Sequence, residues 1–122
     1  MDLLEYQGKQ LLARSGVAIP DGAVAGDPDA AAAAAERIGY PCVVKAQVQM
    51  GGRGKAGGIK IAADADEARA RAEEILGKEL LGPHGEGPFV ADELWIEEAS
   101  DIDAEYYASV ILDRAAKRPL VM

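Results

Sequence analysis

The chain has 122 residues, of which 49% are hydrophobic and 28% charged, with a formal net charge of −8. That length suits one domain with a core of its own. One cysteine and one histidine exclude an internal disulfide and a Cys/His structural zinc site. The acidic balance argues against general affinity for nucleic acid or anionic membranes, both of which need a positive surface field.

The start, Met-Asp-Leu-Leu-Glu, has no basic region of the kind that opens a signal or transit peptide. A reducing, cytoplasmic location is the expectation. The first helix is predicted from Asp2 and Glu5, a D-x-x-E cap, with Leu3, Leu4, Gln7, Leu11 and Leu12 as its apolar stripe and Gly16 as its stop. Asp27 before Pro28 opens a second helix through the alanine run Ala30–Ala35, ended by Gly39; the run is far too short to span a bilayer. Pro41 to Val48 and Ile59 to Ala62 read as strands. Asp64 and Glu67 open a third helix, with Ala68, Ala72 and Ile75 on one face and Gly77 at its end.

Lys78 to Asp92, rich in Gly and Pro, reads as an exposed loop that carries His84. Leu94 to Glu98, Tyr106 to Asp113 and Arg118 to Met122 follow as strands. This order predicts an α+β fold with a mixed sheet. The chain ends on apolar, strand-like residues, so a longer protein is expected.

Chemistry concentrates between Pro41 and Ala63, which holds no Asp or Glu but carries Lys45, Arg53, Lys55 and Lys60. Gly51-Gly52-Arg53-Gly54-Lys55-Ala56-Gly57-Gly58 places five glycines in eight residues. Such a loop lets successive backbone N–H groups form an anion-binding concavity, and phosphate is the obvious guest. A dinucleotide-binding fingerprint needs a helix at the glycines, and a P-loop needs Ser or Thr after the lysine. Here a strand follows, and Lys55 precedes Ala56. What remains is strand, glycine loop, strand: a flap over phosphates, with Lys45 on the strand that enters it. A mobile hairpin tip is the plain alternative.

In Trp95 to Asp101, period-2 alternation puts Trp95 and Glu97 on one face and Ile96 and Glu98 on the other. Carboxylates such as Glu97 and Glu105 could accept from ribose or adenine, or be structural or surface acids. Cys42 fits a small core residue, and Trp95 either core packing or base stacking.

Leu4-Glu5-Tyr6-Gln7 with Lys9 to Leu12, then Val43-Val44-Lys45-Ala46-Gln47-Val48, then the Gly51–Gly58 loop, resemble the start of succinyl-CoA synthetase (succinate–CoA ligase) β subunits. The resemblance covers essentially residues 1–122. It implies the N-terminal part of an ATP-grasp domain, with Lys45 and Gly52-Arg53-Gly54 on the phosphates of ATP or GTP. It also implies that Glu97, Ser100 and Glu105 face adenine and ribose. The whole enzyme would join succinate and CoA at the cost of a nucleoside triphosphate, reversibly, in the tricarboxylic acid cycle. Its partner α subunit would carry the phosphorylated histidine, and the Asn and Asp that hold Mg²⁺ would lie downstream, leaving neither catalytic residue nor metal ligand here. Another acyl-CoA ligase of this scaffold (malate–CoA ligase or a half of ATP-citrate lyase) and a non-catalytic anion-binding module are the alternatives.

Overall fold

The computed structural model describes residues 2–122. Helix α1 (Glu5–Arg14) comes first, then strand β1 (Gly22–Ala25), helix α2 (Pro28–Ile38), β2 (Cys42–Ala46) and β3 (Ile59–Ala62). Helix α3 (Ala65–Ile75), the short β4 (Glu79–Leu80) and β5 (Phe89–Val90), and β6 (Leu94–Glu98) follow. A hairpin of β7 (Val110–Asp113) and β8 (Arg118–Val121) ends the chain.

The main sheet runs β1-β6-β2-β3, and every neighbouring pair in it is antiparallel. This corrects the mixed sheet expected above. The units β1-α2-β2 and β3-α3-β6 each bring two parallel strands together, but a strand of the other unit lies between them. Interleaving two split β-α-β units turns a parallel topology into antiparallel hydrogen bonding.

Both helices between strands start where their sequences say. Asp27 Oδ1 accepts from the Ala30 N–H at 2.7 Å, and Asp64 Oδ1 from the Glu67 N–H at 2.8 Å. Each aspartate satisfies a backbone donor that has no partner inside its helix. Gly39 closes α2 at φ 102°, a conformation that a Cβ would strain.

The two helices cover one face of the sheet and pack on each other through small residues, Ala31, Ala34 and Ala35 with Ala68 and Ala72. Cys42, Val44 and Ala46 of β2 and Leu94 and Ile96 of β6 complete an aliphatic core. Each fully buried Leu, Ile or Val there contributes about 1.5–3 kcal/mol.

Four local readings change, one of them the strand expected over Tyr106 to Asp113, which begins only at Val110. Leu4, not Asp2, is the N-cap of α1, and its N–H donates to Gln7 Oε1 at 2.9 Å. The stretch expected as loop contains β4 and β5, paired Leu80 to Phe89, and Leu80 is fully buried. Strand β1 lacked a local signal and exists by pairing with β6; a Cβ on Gly22 would lie inside the Trp95 ring. Among the described residues no helix is long and apolar enough to cross a membrane.

Candidate functional site

The face of the sheet opposite α2 and α3 carries the charged residues. Lys45 of β2 stands across from Trp95 of β6, and Val43 across from Glu97. Lys45 and Glu97 are therefore diagonal neighbours on one face, within reach of a long side chain. Lys45 Nζ donates to Glu97 Oε1 at 2.6 Å and to Glu5 Oε1 at 3.2 Å. Trp95 Nε1 donates to Glu97 Oε2 at 2.6 Å, and Lys9 pairs with the same oxygen. Glu97, only 5% exposed, thus spends both carboxylate oxygens inside the protein.

Helix α1 roofs this face, though not by its leucines. Leu3, Leu11 and Leu12 are 42%, 48% and 51% exposed, and α1 buries no residue fully. The docked face is Glu5, Tyr6 and Lys9, the i, i+1 and i+4 positions of one turn. Tyr6 stacks on Trp95 with centroids 5.9 Å apart and planes at 15°. Its N–H donates to Gln47 Oε1 at 3.2 Å, while Gln47 Nε2 donates back to the carbonyls of Lys45 and Ala46. Polar contacts and one aromatic stack hold the helix.

The glycine loop is wound into successive turns and is not an extended flap. The N–H groups of Ala56, Gly57 and Gly58 donate to the carbonyls of Gly52, Gly54 and Arg53. These internal bonds use three of the donors that a phosphate would otherwise meet. The winding projects Arg53 back under α1. There Nη2 donates to Glu5 Oε2 at 2.6 Å and Nη1 to the Ala46 carbonyl at 2.8 Å. Gly58 permits the tight turn, since a Cβ there would press on Leu80 and Ala46 at 3.0 and 3.2 Å. Lys55 is exposed, and Lys60 leaves the site to pair with Glu74 of α3 at 2.8 Å.

Electrostatics follow from this clustering. Partial burial pushes the Glu5 carboxyl up, but the Arg53 hydrogen bond and the charges of Arg53, Lys45 and Lys9 prevail and lower it to about 2. Burial likewise opposes the charged forms of Lys45 and Glu97. Their mutual hydrogen bond and neighbouring charges overcome it, raising the lysine and lowering the glutamate. All three are held ionised at neutral pH.

A cleft of about 580 Å³ opens beside this cluster, with Glu5 and Arg53 in its wall together with Asp2, Val48, Met50 and Phe89. Of the residues singled out from sequence, Lys45, Arg53 and Glu97 meet around Glu5, and Gly52 and Gly54 hold the turns that aim Arg53. Ser100 and Glu105 lie apart, exposed on the segment after β6. Sequence reasoning on the strands and loop missed Glu5, Tyr6 and Lys9 as site residues. Glu5 reads in the sequence as part of the D-x-x-E cap, a local signal that says nothing of partners on distant strands. Among the described residues no three His, Cys, Asp or Glu side chains converge as a metal-holding cluster would.

An α+β lobe with a glycine loop and convergent cations beside a cleft is the layout of a nucleotide-binding fold. The model of the ATP-grasp domain matches residues 2–122, and the chain belongs to that family. Its curated relatives narrow the likeness. It is 50% identical to the succinate–CoA ligase [ADP-forming] subunit beta of Halalkalibacterium halodurans, 48% to that of Natronomonas pharaonis and 47% to that of Bacillus subtilis. All of this chain is covered in each case, but only 32%, 30% and 32% of the relative, so it spans about a third of their length. Among solved structures, a dinucleotide-forming acetyl-coenzyme A synthetase of Ca. Korarchaeum cryptofilum superposes with a TM-score of 0.73 at 20% identity, over 98% of this chain and 50% of that one. That similarity is one of fold.

Proposed function

We propose that this chain is the nucleotide-gripping lobe of the β subunit of an ADP- or GDP-forming succinate–CoA ligase. The reaction is succinate + CoA + nucleoside triphosphate to succinyl-CoA + nucleoside diphosphate + phosphate, reversible. The observation that carries the reading is the convergence of Lys45 and Arg53 on one carboxylate at the wall of an open cleft. Two fixed cations 3.2 and 2.6 Å from the oxygens of one anion make a seat that a phosphate oxygen pair also fits. Identity near 50% to named β subunits over the whole chain supports the same assignment.

In this reading Lys45, Gly52, Arg53 and Gly54 meet the phosphates of ATP or GTP, and Ser100 and Glu105 reach toward ribose and adenine from their exposed segment. Glu97, expected with them to face ribose and adenine, instead holds Lys45 with one oxygen and Trp95 and Lys9 with the other. Phosphoryl transfer depends mainly on positioning and on neutralising developing charge. The lobe supplies cations and orientation. Mg²⁺ is to be held by an Asn and an Asp outside residues 1–122, and the phosphorylated histidine by the α subunit. The lobe alone therefore binds nucleotide without turning it over.

Calorimetric titration of ADP into the chain tests this. Lys45→Met and Arg53→Met are each expected to weaken ADP binding about tenfold or more, the loss of one charge-assisted contact. Unchanged affinity in both variants would sink the reading, and so would succinyl-CoA formation by the isolated chain.

A further inference from the structure

Among the described residues Glu5 is the one carboxylate that touches both cations of the proposed phosphate seat. Its Oε1 lies 3.2 Å from Lys45 Nζ and 3.2 Å from Lys9 Nζ, and its Oε2 2.6 Å from Arg53 Nη2. We propose that Glu5 is a resident substitute for phosphate, occupying the seat between Lys45 and Arg53 so that a ligand must displace it, which lowers the affinity of every phosphate ligand by a common factor. This rests on the reading that Lys45 and Arg53 grip the nucleotide's phosphates.

Three features separate such a competitor from a residue that merely positions the cations. First, each cation keeps another partner when Glu5 leaves: Lys45 keeps Glu97 at 2.6 Å, and Arg53 keeps the Ala46 carbonyl at 2.8 Å. Second, α1 has moorings that do not involve Glu5. Tyr6 remains stacked on Trp95 and bonded to Gln47, and Lys9 remains paired with Glu97. The carboxylate can swing aside without the helix leaving the sheet. Third, Glu5 and Arg53 share the wall of the 580 Å³ cleft, so the exchange takes place where a ligand enters.

Charge decides which ligand wins. Lys9, Lys45 and Arg53 against Glu5 and Glu97 leave the cluster one positive charge in excess, and release of Glu5 doubles that excess. A monophosphate, at about −1.5 to −2, must replace a carboxylate already in bidentate contact. A diphosphate carries more charge and more acceptor oxygens, so it exchanges the three Glu5 contacts for a larger set. Glu5 thus raises the threshold for entry by the same amount for each ligand, and the ligand's own charge sets the preference.

The experiment titrates AMP, ADP and inorganic pyrophosphate into the wild-type chain and into Glu5→Gln. The wild type is expected to bind ADP and pyrophosphate in preference to AMP. Glu5→Gln is expected to tighten all three by about tenfold, because one displacement cost is common to every ligand of the seat. Should Glu5→Gln fail to fold, Glu5→Asp draws the carboxylate back from both cations and is expected to move the affinities in the same direction. Weaker or unchanged binding in the folded variant, with the wild type still binding ADP, overturns the role of Glu5 and leaves the nucleotide reading standing. Absence of ADP and pyrophosphate binding in wild type and variants alike overturns the nucleotide reading and this inference together.

Discussion

The two faces of one sheet are built on opposite principles. On the helix side, alternate residues of β2 and β6 (Cys42, Val44, Ala46, Leu94 and Ile96) pack against the alanines of α2 and α3. On the other side, the residues between them (Lys45, Trp95 and Glu97) meet α1, which buries nothing fully and is held by ion pairs, hydrogen bonds and one stack. Because side chains alternate along a strand, ten residues of β2 and β6 serve both faces at once. The apolar face supplies stability that is indifferent to charge. The polar face holds cations in place and makes that hold depend on ionisation.

Truncating the apolar face is the largest way to break the contrast. Ile96→Ala is expected to cost about 4 kcal/mol, because a fully buried side chain leaves a cavity among its neighbours. Chemical denaturation should show a lower midpoint, with the cation face coming apart only as the whole lobe unfolds. Acid attacks the other face. Glu5 is lowered from 4.5 to about 2 on folding, so its contribution is complete above pH 4.5 and disappears as pH falls through 2. The difference corresponds to about 3 kcal/mol. Trp95 is the single tryptophan and donates to Glu97, whose carboxyl folding also lowers, so its emission should report the loss of the ion-pair network as these carboxylates protonate. A flat stability profile from pH 5 to 2 would contradict the ion-pair account. The smallest effect sharpens the distinction between site and surface. Lys60→Ala removes a half-exposed pair with Glu74 and should change stability by less than about 0.5 kcal/mol, with ADP affinity unaltered.

Legibility in the sequence followed the range of the interactions. Helices α2 and α3 could be read to within a residue because their determinants, Asp27, Pro28, Gly39 and Asp64, act locally. Strands β3 and β6 matched their expected bounds for the same reason. Strand β1 was not legible: Gly22-Ala23-Val24-Ala25 has little intrinsic strand character and forms because β6 offers an edge and Trp95 needs space over Gly22. The antiparallel sheet was hidden because strand order is a long-range property. In the site, Lys45 and Arg53 stood out as cations in an acid-free stretch, and the alternation placed Glu97 with Trp95 correctly. Glu5 lies 40 residues from Lys45 and 48 from Arg53, a separation that no local pattern bridges. The leucine stripe of α1 is its strongest local pattern, yet the helix docks through Glu5, Tyr6 and Lys9.

The thiol of Cys42 sits at the start of β2 with no solvent exposure, and burial pushes its pKa up. Thiolate is the reactive form of cysteine, so a sulfhydryl reagent can modify this residue only when the aliphatic layer opens. The chain thereby carries a timer for its own breathing: the rate of covalent labelling follows how often the interior is uncovered, without any engineered probe.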